Sequence, residues 1–143
     1  LKNIIIEQSF NQLMTETVNR QGWSIPARVQ QYMIQILVDK IGQNPWQPQP
    51  SYAEQYMMAQ SIEAIVALGN TCWFTRAVFP EIGARRGINS SYYTGLGQGC
   101  YTRVLAKIGP NNSIQQLRDH FDFLAEVAWT VIHSQGEFRS MWL

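Results

Sequence analysis

Charge is scarce in this 143-residue chain: Asp, Glu, Lys and Arg make up 15% of it, against roughly 25% in a typical globular domain. Eleven basic and ten acidic residues leave a formal net charge of +1. They are scattered, so no basic footprint marks the chain for a phosphate backbone or an anionic membrane. No nucleic acid and no membrane partner is expected. The only two cysteines, Cys72 and Cys100, fall in apolar helical stretches without neighbours that suggest a metal or redox pair, which predicts reduced core thiols. The only histidines, His120 and His133, are thirteen residues apart on one helical stretch, too far to chelate one ion together, and no Glu-x-x-His pair accompanies them. No metal and no cofactor is expected. No apolar run approaches the roughly 20 residues that span a bilayer, and residues 4–6 are too short for a signal-peptide core, so a cytoplasmic location is expected. The first residue is Leu, which places the expected true start upstream. Nucleophile elbows, zinc-protease motifs, P-loops, strand-period segments and internal repeats are all missing.

What is there is helical period. Ile6, Phe10, Leu13 and Thr17 mark one face of a first helix ending before Gly22. Ser24 offers an N-cap to a second, with Pro26 in its first turn, a stripe of Val29, Met33, Ile36 and Leu37, and a stop at Gly42. The segment "QNPWQPQP", residues 43–50, holds three prolines and reads as an extended connector. Ser51 and Glu54 then form a capping-box start to one long helix striped by Met58, Ile62, Ile65, Gly69 and Cys72. Arg76 comes next on that stripe and must either snorkel out or meet a carboxylate, Glu81 being the nearest across the turn.

Pro80 suits a short connecting helix ending near Gly87. A further helix follows Ser90 or Ser91, striped by Tyr93, Leu96, Cys100 and Val104 and stopped by Gly109-Pro110. Ser113 and Gln116 open a last long helix running through Ile114, Leu117, Phe121, Leu124, Ala128 and Val131. The tail, with Phe138, Trp142 and Leu143, either docks on the body or continues outward. The expectation is all-α: a single domain over residues 1–143, a bundle of five principal helices plus the short connecting helix after Pro80.

The densest chemistry is "FPEIGARRGINSSYYTGLGQGCY", residues 79–101. Its glycines, Gly95, Gly97 and Gly99, lack the G-x-G-x-x-G spacing and the preceding strand of a dinucleotide site. Ser91, Gly95 and Gly99 instead recur every four residues on one helix face, which predicts close helix packing or an interface. Gly69 is placed similarly on the preceding helix, and meeting glycine faces would bring Cys72 and Cys100 together. Arg76, Glu81, Arg85, Arg86, Tyr92 and Tyr93, with Gln98 and Tyr101 nearby, offer forks and hydroxyls for a carboxylate or phosphate, with Trp73 as an apolar wall. The alternative is structural: Arg–Glu pairing and tyrosine-to-backbone bonds that fix the angle between two helices.

This stretch also resembles an uncharacterised family of small bacterial all-helical proteins. The residues that carry the resemblance are Leu68-Gly69-Asn70, Phe74, Phe79-Pro80-Glu81, Arg85-Arg86, Tyr92-Tyr93, Gly97 and Tyr101, and the match covers roughly residues 67–105. The chain departs from the family pattern at Asn70, where aspartate is usual, and at Ala77, where glycine is. The resemblance implies a bacterial helical fold and no assigned activity.

Three functions are therefore carried forward. The first is a non-enzymatic protein acting through self-association, as a homodimer, or through a protein partner, with glycine and aromatic surfaces in the contact. The second is a carrier or sensor of a small anionic or amphipathic ligand, with a pocket between the central helices in which Arg76, Arg85 and Tyr93 fix an anionic head group and Trp73 lines the apolar wall. The third is an enzyme using Glu81 with Tyr92 or Tyr93 for proton transfer.

Overall fold

The computed structural model describes residues 2–41, 51–81, 90–134 and 141–142, and among them every regular element is helical. Seven helices run in chain order: α1 (Lys2–Gln21), α2 (Ala27–Asp39), α3 (Tyr52–Met58), α4 (Ile62–Val78), α5 (Ser90–Ile108), α6 (Asn112–Asp119) and α7 (Phe121–His133). The Pro-rich segment 43–50 lies outside the described residues. So does most of the expected connecting helix, of which Pro80 and Glu81 are helical.

Contacts divide the chain into two compact units, the boundary falling inside α7 between Ala125 and Glu126. In the first unit α1 packs on α2. The α1 core face is Phe10, Met14, Thr17 and Val18, shifted from the expected stripe so that Leu13 is only half-buried. The end of α1 follows local chemistry: Gly22 takes φ +71°, its N–H donates to Asn19 O, and the Trp23 N–H donates to Val18 O at 3.0 Å, a Schellman closure. Pro26, not Ser24, is the N-cap of α2, and no side chain caps it. At the other end Trp142, 1% exposed, stacks on Phe10 and donates its indole N–H to Leu37 O at 2.8 Å. That carbonyl is one of the last four of α2, which lack intrahelical donors.

The second unit is built on the α4–α5 pair, with α6 against α5 and α3 against both α4 and α5. Two of the expected long helices are each divided here. Between α3 and α4 the chain turns at Ala59, which is extended (ψ 124°), and Ser61 restarts it by accepting from the Ala64 N–H at 3.1 Å. Neither Gly nor Pro marks this break. Arg103 of α5 sits at the break: its Nη1 donates to Tyr56 O at 2.8 Å and its Nη2 donates to Ala59 O at 2.9 Å, occupying carbonyls that a continuing helix would use itself.

Between α6 and α7 the break is at His120 (φ −124°, ψ 35°). Gln98 Nε2 donates to Arg118 O at 2.8 Å there, again replacing a donor from the next turn. Asn111, not Ser113, caps α6 by accepting from the Ile114 N–H at 3.1 Å. Gly109 (φ +81°) ends α5 with a bond from its N–H to Leu105 O at 3.0 Å, ahead of Pro110.

Candidate functional site

Most of the singled-out residues between positions 69 and 101 serve to join α3, α4 and α5. Gly69 and Gly97 are buried. A Cβ on Gly69 would sit 2.9 Å from the Tyr101 ring and 3.1 Å from Cys100 Cβ. One on Gly97 would run into the Phe121 ring and reach 3.4 Å from Cys72 Cβ. Each glycine therefore makes room for an aromatic ring and faces the opposite helix's cysteine. Both cysteines are buried, and neither forms a disulfide. Burial pushes the Cys100 thiol up to about 11, against the opposing pull of the Arg103 charge, so it stays protonated at neutral pH and is no nucleophile.

The expected face Ser91, Gly95, Gly99 is used only in part. Gly99 lies under Tyr56, whose hydroxyl is 3.2 Å from where its Cβ would be. Gly95 is exposed, with nothing within 4 Å of such an atom, and Ser91 is exposed as well. Close approach thus falls at Gly69, Gly97 and Gly99.

Arg76 Nε lies 3.4 Å from Asp122 Oδ1, so the carboxylate found at that atom belongs to α7. The same oxygen accepts the Thr94 hydroxyl at 2.6 Å, tying α4, α5 and the start of α7 together. Glu81 is half-buried, while Arg85 and Arg86 lie outside the described residues. Trp73 is fully buried, and its indole N–H has no hydrogen-bond partner among the described residues. Tyr93, 3% exposed, is met edge-on by both Tyr52 and Tyr92. The Tyr92 hydroxyl accepts from the Ala53 N–H at 3.0 Å, beside the Ser51 hydroxyl that accepts from the Glu54 N–H at 3.2 Å. The two oxygens satisfy two of the donors that the first turn of α3 leaves open.

Several contributors carried no local signal. Tyr52 OH is 3.3 Å from Thr75 Oγ1, and because Thr75 donates to Thr71 O, Tyr52 is the donor. Asn70 Oδ1 accepts the buried Tyr101 hydroxyl at 2.9 Å. Arg103 clamps the end of α3 while stacking 4.8 Å over the Tyr56 ring. Of the residues behind the family resemblance, Gly69, Asn70, Gly97 and Tyr101 thus act here in helix packing.

A cleft of about 440 Å³ is walled by Gln55, Met58 and Ala59 on the α3 side and by Ala64, Ala67, Leu68 and Thr71 of α4. No charged side chain lines it, and the Thr71 hydroxyl donates to Ala67 O of its own helix at 2.8 Å. Met58 on its wall and Met57 next to it are 74% and 79% exposed. Among the described residues no group of three or more His, Cys, Asp or Glu side chains is placed to hold a metal ion, and no helix is long and apolar enough to cross a membrane. No protein-family model matches the chain, and neither does any curated protein or solved structure.

Proposed function

We propose that this protein acts by binding, and that the cleft between α3 and α4 is the contact through which it pairs with a second copy of itself. The observation that carries this reading is the pair of methionines, each about three-quarters exposed, that stands on or beside an uncharged cleft. A two-fold contact requires one surface to complement itself. A projecting apolar pair next to an apolar recess does so, since the methionines of each copy enter the recess of the other. Methionine suits the role because its unbranched thioether adapts to irregular surfaces. The glycine and aromatic surfaces first expected in the contact are largely occupied within the chain: Gly69, Gly97 and Gly99 are covered by Tyr101, Phe121 and Tyr56. Membership of the uncharacterised bacterial family, and with it a bacterial origin, belongs to the same proposal, as does a cytoplasmic location.

A carrier for a small amphipathic ligand is the second reading, favoured by the cleft volume of about 440 Å³, which falls inside the range of small-molecule sites, roughly 300–1,000 Å³. Of the expected head-group residues, Arg76 and Tyr93 are not among the lining residues of this cleft, nor is Trp73, the expected apolar wall, while Arg85 lies outside the described residues, so a ligand in this cleft would be held by apolar contact. Nothing favours proton transfer by Glu81 with Tyr92 or Tyr93, because Tyr93 is packed between rings and Tyr92 caps α3. Native mass spectrometry of freshly purified protein tests both readings. The expected result is a dimer with no adduct. A monomer carrying a small molecule that is lost on denaturation would replace self-association by the carrier reading, and a bare monomer at every concentration would overturn both.

A further inference from the structure

The cleft has one wall fixed in the core and one wall that is not. On the α4 side Ile65, Leu68, Cys72 and Trp73 are all buried at 5% exposure or less, and α4 begins on its own cap at Ser61. The α3 side is seven residues long and contains no buried residue. A helix that short has no stability by itself, since isolated helices below about 12–15 residues are marginal in water. What holds it is a set of contacts from α5, together with the Tyr52 hydroxyl's bond to Thr75 Oγ1 of α4. Tyr92 OH takes the Ala53 N–H at the first turn, Arg103 takes the Tyr56 and Ala59 carbonyls at the last, and Tyr56 rests on Gly99 between them.

We infer that α3 is a strap that detaches and re-forms as one unit, latched at its two ends by Tyr92 and Arg103, and that its release opens the cleft. Helix formation and docking are coupled, because the guanidinium that anchors α3 also occupies the carbonyls at its C-terminal end. Losing that anchor melts the helix as well as freeing it. The α4 wall persists, so opening changes the width of the recess without unfolding the unit. The biological use of this motion rests on the cleft being the contact site; the motion itself does not.

Amide hydrogen exchange on the intact chain tests it. In the unmodified protein, amides 55–59 should be protected at least about tenfold less than the core amides of α4 and α5, as expected for a local opening well below global unfolding. Arg103→Met should lower protection of those amides by a further tenfold or so, the effect of losing charge-assisted bonds to carbonyls. Tyr92→Phe should act in the same direction, and neither change should alter α4 or α5 protection. Arg103→Lys, which keeps the charge but not the fork, should recover only part of the loss. Amides 55–59 exchanging only together with α4 and α5 in the unmodified protein, or all three falling together in Arg103→Met, would overturn the strap. Exchange is read without any partner, so a chain that stays monomeric contradicts the cleft reading while these outcomes still decide the strap.

Discussion

Gly95 and Gly97 stand two positions apart on α5 and respond oppositely to an added methyl group. At Gly97 a Cβ collides with the Phe121 ring, and overpacking of this kind destabilises by about 1–3 kcal/mol. At Gly95 it meets nothing, so alanine there gains helix propensity, about 1 kcal/mol. Urea unfolding should therefore move to lower midpoint in Gly97→Ala and to higher midpoint in Gly95→Ala. The glycine spacing pointed to Ser91, Gly95 and Gly99 as the close-packed side, but it is Gly97 and Gly99 that lie against side chains and Gly95 that does not, because facing depends on where Phe121 and Tyr56 lie. Cys100 gives a second prediction at this scale. Its folded thiol is raised to about 11 from an ordinary 9.0, so the folded state favours the protonated form. The resulting stability is complete below pH 9 and is lost as pH rises from there through 11. Cys100→Ala should flatten the fall of unfolding free energy over that window, and the native thiol should alkylate slowly at pH 8.

At the scale of elements, legibility follows whether an end is set locally. Gly22, Ser51 and Gly109 mark ends that their own backbone or hydroxyl chemistry determines, and these were readable. The breaks at residues 59–61 and at His120 were not foreseen: a local serine, Ser61, caps the restart at the first, and at both the freed carbonyls are taken by side chains from distant turns of α5, Arg103 in one case and Gln98 in the other. Arg76 likewise meets a carboxylate 46 residues away, Asp122 of α7, which no local spacing marked. Caps are separable from these tertiary effects. Asn111→Ala should cost about 1 kcal/mol by releasing the Ile114 N–H, measured as a lower urea midpoint. Serine at the same position should retain most of that stability, because its hydroxyl also accepts.

Across the whole molecule the helical period led directly to an all-α fold. It did not locate the cleft, which exists only because α3 and α4 separate where one continuous helix was expected. Self-association through that cleft makes a claim about the methionine side chains. Met14 and Met33 are buried in the core of the first unit, whereas Met57 and Met58 are the exposed pair. The direct measurement is a carbon-13 methyl spectrum of methionine-labelled protein, recorded over a wide dilution series beside native mass. The Met57 and Met58 methyl resonances should shift together as dimer gives way to monomer, with those of Met14 and Met33 unchanged. A dimer that dissociates while the Met57 and Met58 signals stay in place would put the contact elsewhere and contradict the account.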